Sequence, residues 1–156
     1  MLPDMLTLDE CDRRILGLLQ TDCTMPLDVI GARVNLSRNA VWRRIKVLEE
    51  AGVIRARVAL LDAEHLDLGL TVFLMVRTAD HRPDWLDRFA KATRDLPEIL
   101  GAYRMTGDLD YLIRARVRDV RAYDALYQQL IRRVDLADVS ASFVMEELKD
   151  TTVLPL

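Results

Sequence analysis

Apolar residues recur at helical spacing through the first fifty positions and at strand spacing through much of the remaining chain. Cys11, Ile15, Leu18 and Leu19 form one stripe, predicting a helix over 9–21 with Asp9 as N-cap and Glu10 and Asp12 favouring its first turn electrostatically. Pro26 opens a second helix, because a first-turn proline forfeits no intrahelical hydrogen bond, and Ile30 and Val34 supply its apolar face. Val41, Ile45 and Leu48 give the inner face of a third helix ending at Ala51 and Gly52, with Gly52 as its C-cap. Asn35, Leu36 and Ser37 break the two helices apart: Asn tolerates the left-handed conformation, and Ser is a good N-cap. Val53 to Asp62, VIRARVALLD, then alternates apolar and cationic residues, which predicts a short two-stranded wing. Residues 1–61 therefore read as a winged helix-turn-helix domain.

Residues 62–69 form a connector, and Ala63–Gly69 lacks the Pro and Ser of a flexible linker. Residues 70–156 carry a second pattern. Strands are predicted over 70–78, 99–105, 111–117 and 139–148, and amphipathic helices over 83–96 and 120–134. The order βαββαβ is that of ferredoxin-like folds, so the chain as a whole is α+β. Two helices cover only one face of such a sheet. LTVFLMV and SASFVM are largely apolar on both sides, so the open face is expected to be covered by another subunit in a sheet-on-sheet dimer.

Charge changes the picture once it is divided. The net charge of −3 looks unsuited to nucleic acid, but residues 1–61 hold nine Lys/Arg against eight Asp/Glu and residues 62–156 hold thirteen against seventeen. Positions 37–48 alone carry Arg38, Arg43, Arg44 and Lys46 with no acid among them. Affinity for phosphate follows the local field at the contacting face, not the whole-chain sum. With Val41, Ile45 and Leu48 turned inward, Arg38, Asn39, Trp42, Arg43 and Lys46 point outward, as on a helix that enters a DNA major groove. No apolar run reaches the roughly 18 residues a membrane helix needs. MLPDMLTLDE reads as no export signal, which together with the DNA-reading helix predicts a cytoplasmic protein. Cys11 and Cys23 show no metal-ligand spacing, so no metal site and no cofactor are expected.

The motifs LDECDRRIL at 8–16, VNLSRNAVWRRIKVLEEAGVI at 34–54, TGDLDYL at 106–112 and FVMEELKDTTVLPL at 143–156 resemble the Lrp/AsnC (feast/famine) family of transcriptional regulators over essentially the whole chain. The resemblance implies a DNA-binding winged helix joined to a ligand-responsive oligomerisation domain. It also implies dimers that assemble into rings of four, with a small effector, usually an amino acid, bound where dimers meet. By position it places Thr106, Gly107, Asp108, Leu109 and Asp110 along that pocket and assigns Ser142, Phe143 and Val144 to shaping the response. The chain departs from the family pattern at Asn35, where Gly is usual, and at Leu109, where an aromatic is common.

The expected roles on the third helix differ. Ser37 and Arg44 are assigned to phosphates, which position the protein, and Arg38, Asn39 and Arg43 to base edges, which specify sequence. Lys46 completes the cationic face. Trp42 either touches a thymine methyl or braces the helix, and bracing is the preferred reading. Arg55 and Arg57 in the wing either touch the DNA backbone or lie in solvent. Gly107 and Asp108 also suit an ordinary tight turn; Asp110 would pair with an effector's ammonium while the turn's amides receive its carboxylate. Enzyme chemistry has little to work with: His65 and His81 are the only histidines, and no nucleophile triad, metal cluster or glycine-rich phosphate loop is visible. The alternative kept is a sirohaem-decarboxylase-like enzyme of the same architecture, disfavoured because such a site would place histidines in the sheet's pocket.

Overall fold

Asp9 starts the first helix, α1 (Glu10–Leu19), by accepting a hydrogen bond from the Asp12 amide, while the Asp12 carboxylate accepts one from the Asp9 amide. This reciprocal capping box satisfies two donors that the helix leaves unpaired. The computed structural model describes residues 6–79 and 82–156; His81 and residues 1–5, the start of the segment weighed as an export signal, lie outside the described residues. The chain divides into two units, Met1–Leu60 with Lys149–Leu156, and Leu61–Leu148. By its contacts the tail 149–156 groups with the helices, although it follows the sheet unit in the chain.

In the first unit α2 (Leu27–Val34) follows Pro26, which occupies the N-cap, and ends at Asn35 in the left-handed conformation (φ 58°, ψ 44°). Ser37 caps α3 (Arg38–Glu50), its hydroxyl accepting the Ala40 N–H at 3.2 Å. Ala51 is the C-cap, with Gly52 one residue beyond at φ 73°. Ile15, Ile30, Val34, Val41 and Ile45 bury together at the centre of the three helices. The turn between α2 and α3 is held closely. The Leu36 N–H donates to the Gly31 carbonyl at 3.0 Å, and a Cβ built on Gly31 would lie 2.5 Å from the Leu36 carbonyl oxygen. The Arg14 guanidinium donates to the Arg33 carbonyl near the end of α2. At the C-cap of α1, the Gln20 side chain donates to the Leu154 carbonyl at 2.8 Å and accepts the Leu154 N–H at 2.9 Å. One side-chain amide therefore pairs with both backbone groups of a single residue.

The expected wing is absent: residues 53–62 contain no strand. The Val/Arg alternation does give non-helical backbone, but VIRARVALLD has no Gly, Pro, Asn or Asp at its middle to reverse the chain, so neither half has a partner. Val58, Leu60 and Leu61 are left exposed there.

In the second unit, a single 3-10 turn (Glu64–Leu66) lies in the connector. It is followed by β1 (Leu70–Arg77), α4 (Pro83–Asp95), β2 (Ile99–Arg104), β3 (Tyr111–Val117), α5 (Val120–Arg133) and β4 (Asp138–Phe143). The strands form one antiparallel sheet in the order β2-β3-β1-β4, which is the predicted arrangement. Val72, Leu74 and Val76 of β1 and Ile113, Ala115 and Val117 of β3 bury against Trp85, Phe89, Leu126 and Leu130 of the helices. The Trp85 indole N–H donates to the Asp135 carbonyl at 2.7 Å, so this large ring is buried with its polar atom satisfied.

The opposite sheet face is more polar than the sequence suggested. By alternation it carries Phe73, Met75 and Leu112, but also Thr71, Arg114, Arg116, Ser140 and Ser142. Arg116 donates from Nε to the Thr71 hydroxyl at 3.1 Å and pairs with Glu147, whose carboxylate also accepts the Thr71 O–H at 2.9 Å. β4 stops at Phe143, not at 148. Its partner β1 begins at Leu70, so the ladder runs out once the Val144 N–H has reached the Thr71 carbonyl.

Candidate nucleic-acid interface and effector site

Three buried residues, Val41, Ile45 and Leu48, fix which way α3 faces. At 3.6 residues per turn the remaining positions divide cleanly, and Arg38, Asn39, Trp42, Arg43 and Lys46 are exposed. Among the described residues no carboxylate pairs with Arg38, Arg43 or Lys46. A run of cations presented from a rigid helix and left without carboxylate partners is suited to bind a polyanion.

Arg44 is the exception. Its Nη1 donates to Asp9 Oδ2 at 2.8 Å and to Asp12 Oδ1 at 2.7 Å, so the phosphate role expected from sequence competes with two carboxylates of α1. The Asp12 amide, and then the Arg44 guanidinium, hold the Asp9 carboxyl below its usual range. The same pairings, with Asp12 the stronger, raise the Arg44 pKa. The capping box that starts α1 thereby also anchors the middle of α3. Sequence reasoning assigned Asp9 and Asp12 only to the helix start. Two acids sharing one short helix turn were the signal that a distant cation was needed.

Trp42 stands outward, as expected, and adds nothing to the core: it is 54% exposed, and the group over its ring is the Lys46 ammonium, 5.7 Å from the centroid. Of the two arginines placed in the wing, Arg57 pairs with Glu49 at 2.8 Å and Arg55 is exposed.

The residues assigned to an effector fall into two groups that one chain does not bring together. Thr106 to Asp110 form the turn between β2 and β3, next to the end of β1. Gly107 adopts φ 100°, a conformation that favours glycine. The Asp110 N–H donates to the Val76 carbonyl at 3.1 Å, and its Oδ2 accepts the Thr78 N–H at 2.8 Å. The Asp108 carbonyl accepts from Arg77 Nε at 3.0 Å. Asp110 therefore already closes the end of β1, whatever else it binds. Ser142 and Phe143 sit across from Phe73 and Val72 near the other end of that strand. Val76, level with the turn, lies four residue steps along β1 from Val72, about 13 Å of backbone. The Phe143 ring meets Tyr123 of α5 edge-on, with centroids 5.2 Å apart, while Ser142 lies on the open sheet face. A cavity of about 420 Å³ lined by Tyr127, Ile131, Leu136 and Val139 includes none of these eight residues. Among the described residues no three His, Cys, Asp or Glu side chains are placed to share a metal ion, and no helix is long and apolar enough to cross a membrane.

Comparison with known proteins bears on both units. Residues 8–49 match the model of the AsnC-type helix-turn-helix domain, and residues 71–154 match that of the Lrp/AsnC ligand binding domain. The glutamate uptake regulatory protein of Zymomonas mobilis is 49% identical over 149 residues, covering 96% of this chain and 91% of that protein. The crystal structure of an AsnC family transcriptional regulator from Agrobacterium tumefaciens superposes with a TM-score of 0.92 at 47% identity, covering 95% of this chain and 97% of that one. A Neisseria meningitidis transcriptional regulator in complex with L-methionine superposes with a TM-score of 0.90 at 37% identity, covering 96% and 97%.

Proposed function

The chain belongs to the Lrp/AsnC family of transcriptional regulators, and from that premise we propose that α3 reads its operator while an amino acid tunes the assembly that presents it. The outward face of α3 carries this reading, with Arg38, Asn39, Arg43 and Lys46 exposed and without acidic partners. Arg38 and Arg43 suit the paired acceptors of guanine and Asn39 the donor–acceptor edge of adenine, each pair contributing about 1–3 kcal/mol of discrimination. Ser37 presents its end of the helix to a phosphate, with Arg55 as a further backbone contact. Arg44 acts through Asp9 and Asp12 to hold α3 in place.

The functional unit is a dimer formed by packing the open sheet faces, where Phe73, Met75 and Leu112 lie among polar neighbours. Two recognition helices related by a two-fold axis meet successive major-groove faces, so the half-sites are inverted repeats about one helical turn apart. Dimers assemble further into a ring of four, and the effector sits where they meet. A junction between chains is also what can bring the TGDLD turn of one sheet near groups of another. Backbone amides of Gly107 and Asp108 receive the effector's carboxylate, and the free oxygen of Asp110 its ammonium. Ser142, Phe143 and Val144 act from the other end of the strand on how sheets pack. The L-methionine bound to the Neisseria relative supports an amino acid as ligand, and the name of the Zymomonas relative ties that regulator to the uptake of one. Such a ligand changes regulation only as far as it binds one assembly state better than another.

Gel shifts of the purified protein with its own upstream DNA and with duplexes selected from a random pool, across a salt series and with each of the twenty amino acids, test this. Expected is saturable binding whose logarithm falls linearly with the logarithm of salt concentration, and which one amino acid alters. Salt-independent binding, or no enrichment of any duplex, refutes the operator-reading role of α3.

A further inference from the structure

An exposed tryptophan at the centre of a cationic helix face is the feature that phosphate attraction does not explain. We propose that Trp42 is a specificity-determining residue whose indole packs on the C5-methyl group of a thymine in each half-site. The proposal rests on α3 being the DNA-reading surface.

Three observations support it. First, Trp42 makes no contribution to the buried core, since the inner face of α3 is Val41, Ile45 and Leu48, and the ring stands 54% exposed. Second, its place is fixed: it lies one turn beyond Arg38 and one turn before Lys46, so these residues form a single stripe along the helix. Ser37 pins the helix at its start and Arg44 at its middle, so the stripe is presented without freedom to roll. Third, the Lys46 ammonium lies 5.7 Å from the ring centroid, which restrains the indole beside a positive charge instead of letting it sweep solvent.

A duplex docked on this stripe presents the ring with groove floor, flanked by phosphates that Lys46 attracts and by the base edge that Arg43 reads. The only apolar group projecting into the major groove from the four bases is the thymine methyl. The occupant is accordingly DNA with thymine opposite Trp42, and not merely A·T-rich DNA. A second copy of the chain is a poorer fit, because the ring is surrounded by Arg38, Arg43 and Lys46, which an identical stripe would repel.

The test uses the full-length protein and the duplex it selects from a random pool. That duplex is resynthesised with each thymine replaced in turn by deoxyuridine, which removes the methyl and leaves the hydrogen-bonding edge unchanged. Burying one methyl group corresponds to about four-fold in affinity, so replacement at one position of both half-sites should weaken binding about fifteen-fold. Replacement elsewhere should have little effect. Trp42→Ala should bind the thymine duplex more weakly and fail to distinguish it from the deoxyuridine duplex, and being an exposed substitution it should leave the far-UV circular dichroism unchanged. Equal affinity of the unaltered protein for both duplexes overturns the assignment while leaving DNA recognition intact. So does discrimination that persists in Trp42→Ala, or a loss of oligomer mass in that variant with its DNA affinity retained. Absence of salt-sensitive binding to either duplex overturns the proposal together with the reading beneath it.

Discussion

Replacing Gly31 by Ala adds one methyl group at the narrowest point of the helix-turn-helix. The new Cβ would lie 2.5 Å from the Leu36 carbonyl oxygen and 3.7 Å from the Arg38 nitrogen, and the first of these is closer than real contacts allow. The obstructing atom is backbone, and the Leu36 N–H is bonded back to Gly31, so the turn must move as a whole. Overpacking of this kind costs about 1–3 kcal/mol, against up to about 1 kcal/mol regained because Ala favours helix over Gly. The net loss is about 1–2 kcal/mol, which for a unit of this size lowers Tm by roughly 5–15 °C. Moving the turn also displaces the start of α3, so Arg38 and Asn39 lose their aim. DNA affinity should fall about ten-fold even at temperatures where the unit is folded, the equivalent of one degraded base contact. Hydrogen exchange read separately over 10–50 and 70–143 localises the effect, with the sheet unit as internal control. Asn35→Gly is the contrasting substitution. It removes a side chain from a left-handed residue and should change stability by well under 1 kcal/mol, since relieved strain offsets the added freedom of the unfolded chain. A Gly31→Ala protein that melts higher and binds DNA normally would show that helix propensity dominates and that the close approach to Leu36 constrains nothing.

Arg44→Met leaves the buried Asp12 carboxylate without its cation and should cost the helical unit about 1 kcal/mol. Because the residue acts by holding α3, affinity for specific and non-specific duplexes should fall together without a change in the slope of the salt dependence; a shallower slope would return Arg44 to the phosphates. Asp110→Asn keeps an oxygen for the Thr78 N–H but removes the charge, so it should preserve the melting temperature while abolishing the effect of the amino acid on DNA binding; an unaltered amino-acid response in calorimetry and gel shift would refute the ammonium contact. Asp9 and Glu147 both have carboxyls held below the usual range, chiefly by the Asp12 amide and by the Thr71 hydroxyl, so the unfolded chain binds more protons than the folded one in acid. Their contribution is complete above the unfolded-state values near pH 4–4.5 and is lost as pH falls through the lowered folded values. Tm should therefore be insensitive to pH from 6 to 8 as far as these two groups are concerned and drop below pH 4, and the Glu147→Gln protein should show a smaller drop.

The sequence told most about elements whose signal is local. The caps at Asp9 and Ser37, the left-handed Asn35 and the inner face of α3 each depend on neighbours within a turn or two, and the structure has them where periodicity put them. The succession βαββαβ along the chain followed from alternating strand and helix patterns in the same way. What was missed depends on partners far along the chain. Arg44 is indistinguishable from Arg43 as a cation, and only the presence of Asp9 and Asp12 beside it, 35 and 32 positions earlier, turns it inward. Trp42 was legible as an outward residue, since it follows buried Val41 by one position, a rotation of about 100° that takes it off the inner face; that the Lys46 ammonium would stand over its ring was not. Period-two alternation over 53–62 announced extended chain without saying what it pairs with. The effector residues are the extreme case, since the turn at 106–110 and the strand end at 142–144 lie apart within one chain.

Residues 149–156 are synthesised after the whole of the sheet unit, yet they belong with the helices that are synthesised first. Gln20 meets its partner Leu154 across 134 positions of chain. During translation α1, α2 and α3 are available early, with the Gln20 amide still open to solvent, and the unit stays unfinished until 88 intervening residues, Leu61–Leu148, have left the ribosome. Closing so long a loop adds an entropic cost that grows only slowly with its length, but contacts this distant form late and slowly. The helical unit is thus assembled in two instalments separated in time, and its second instalment arrives only on chains that have been translated past the sheet.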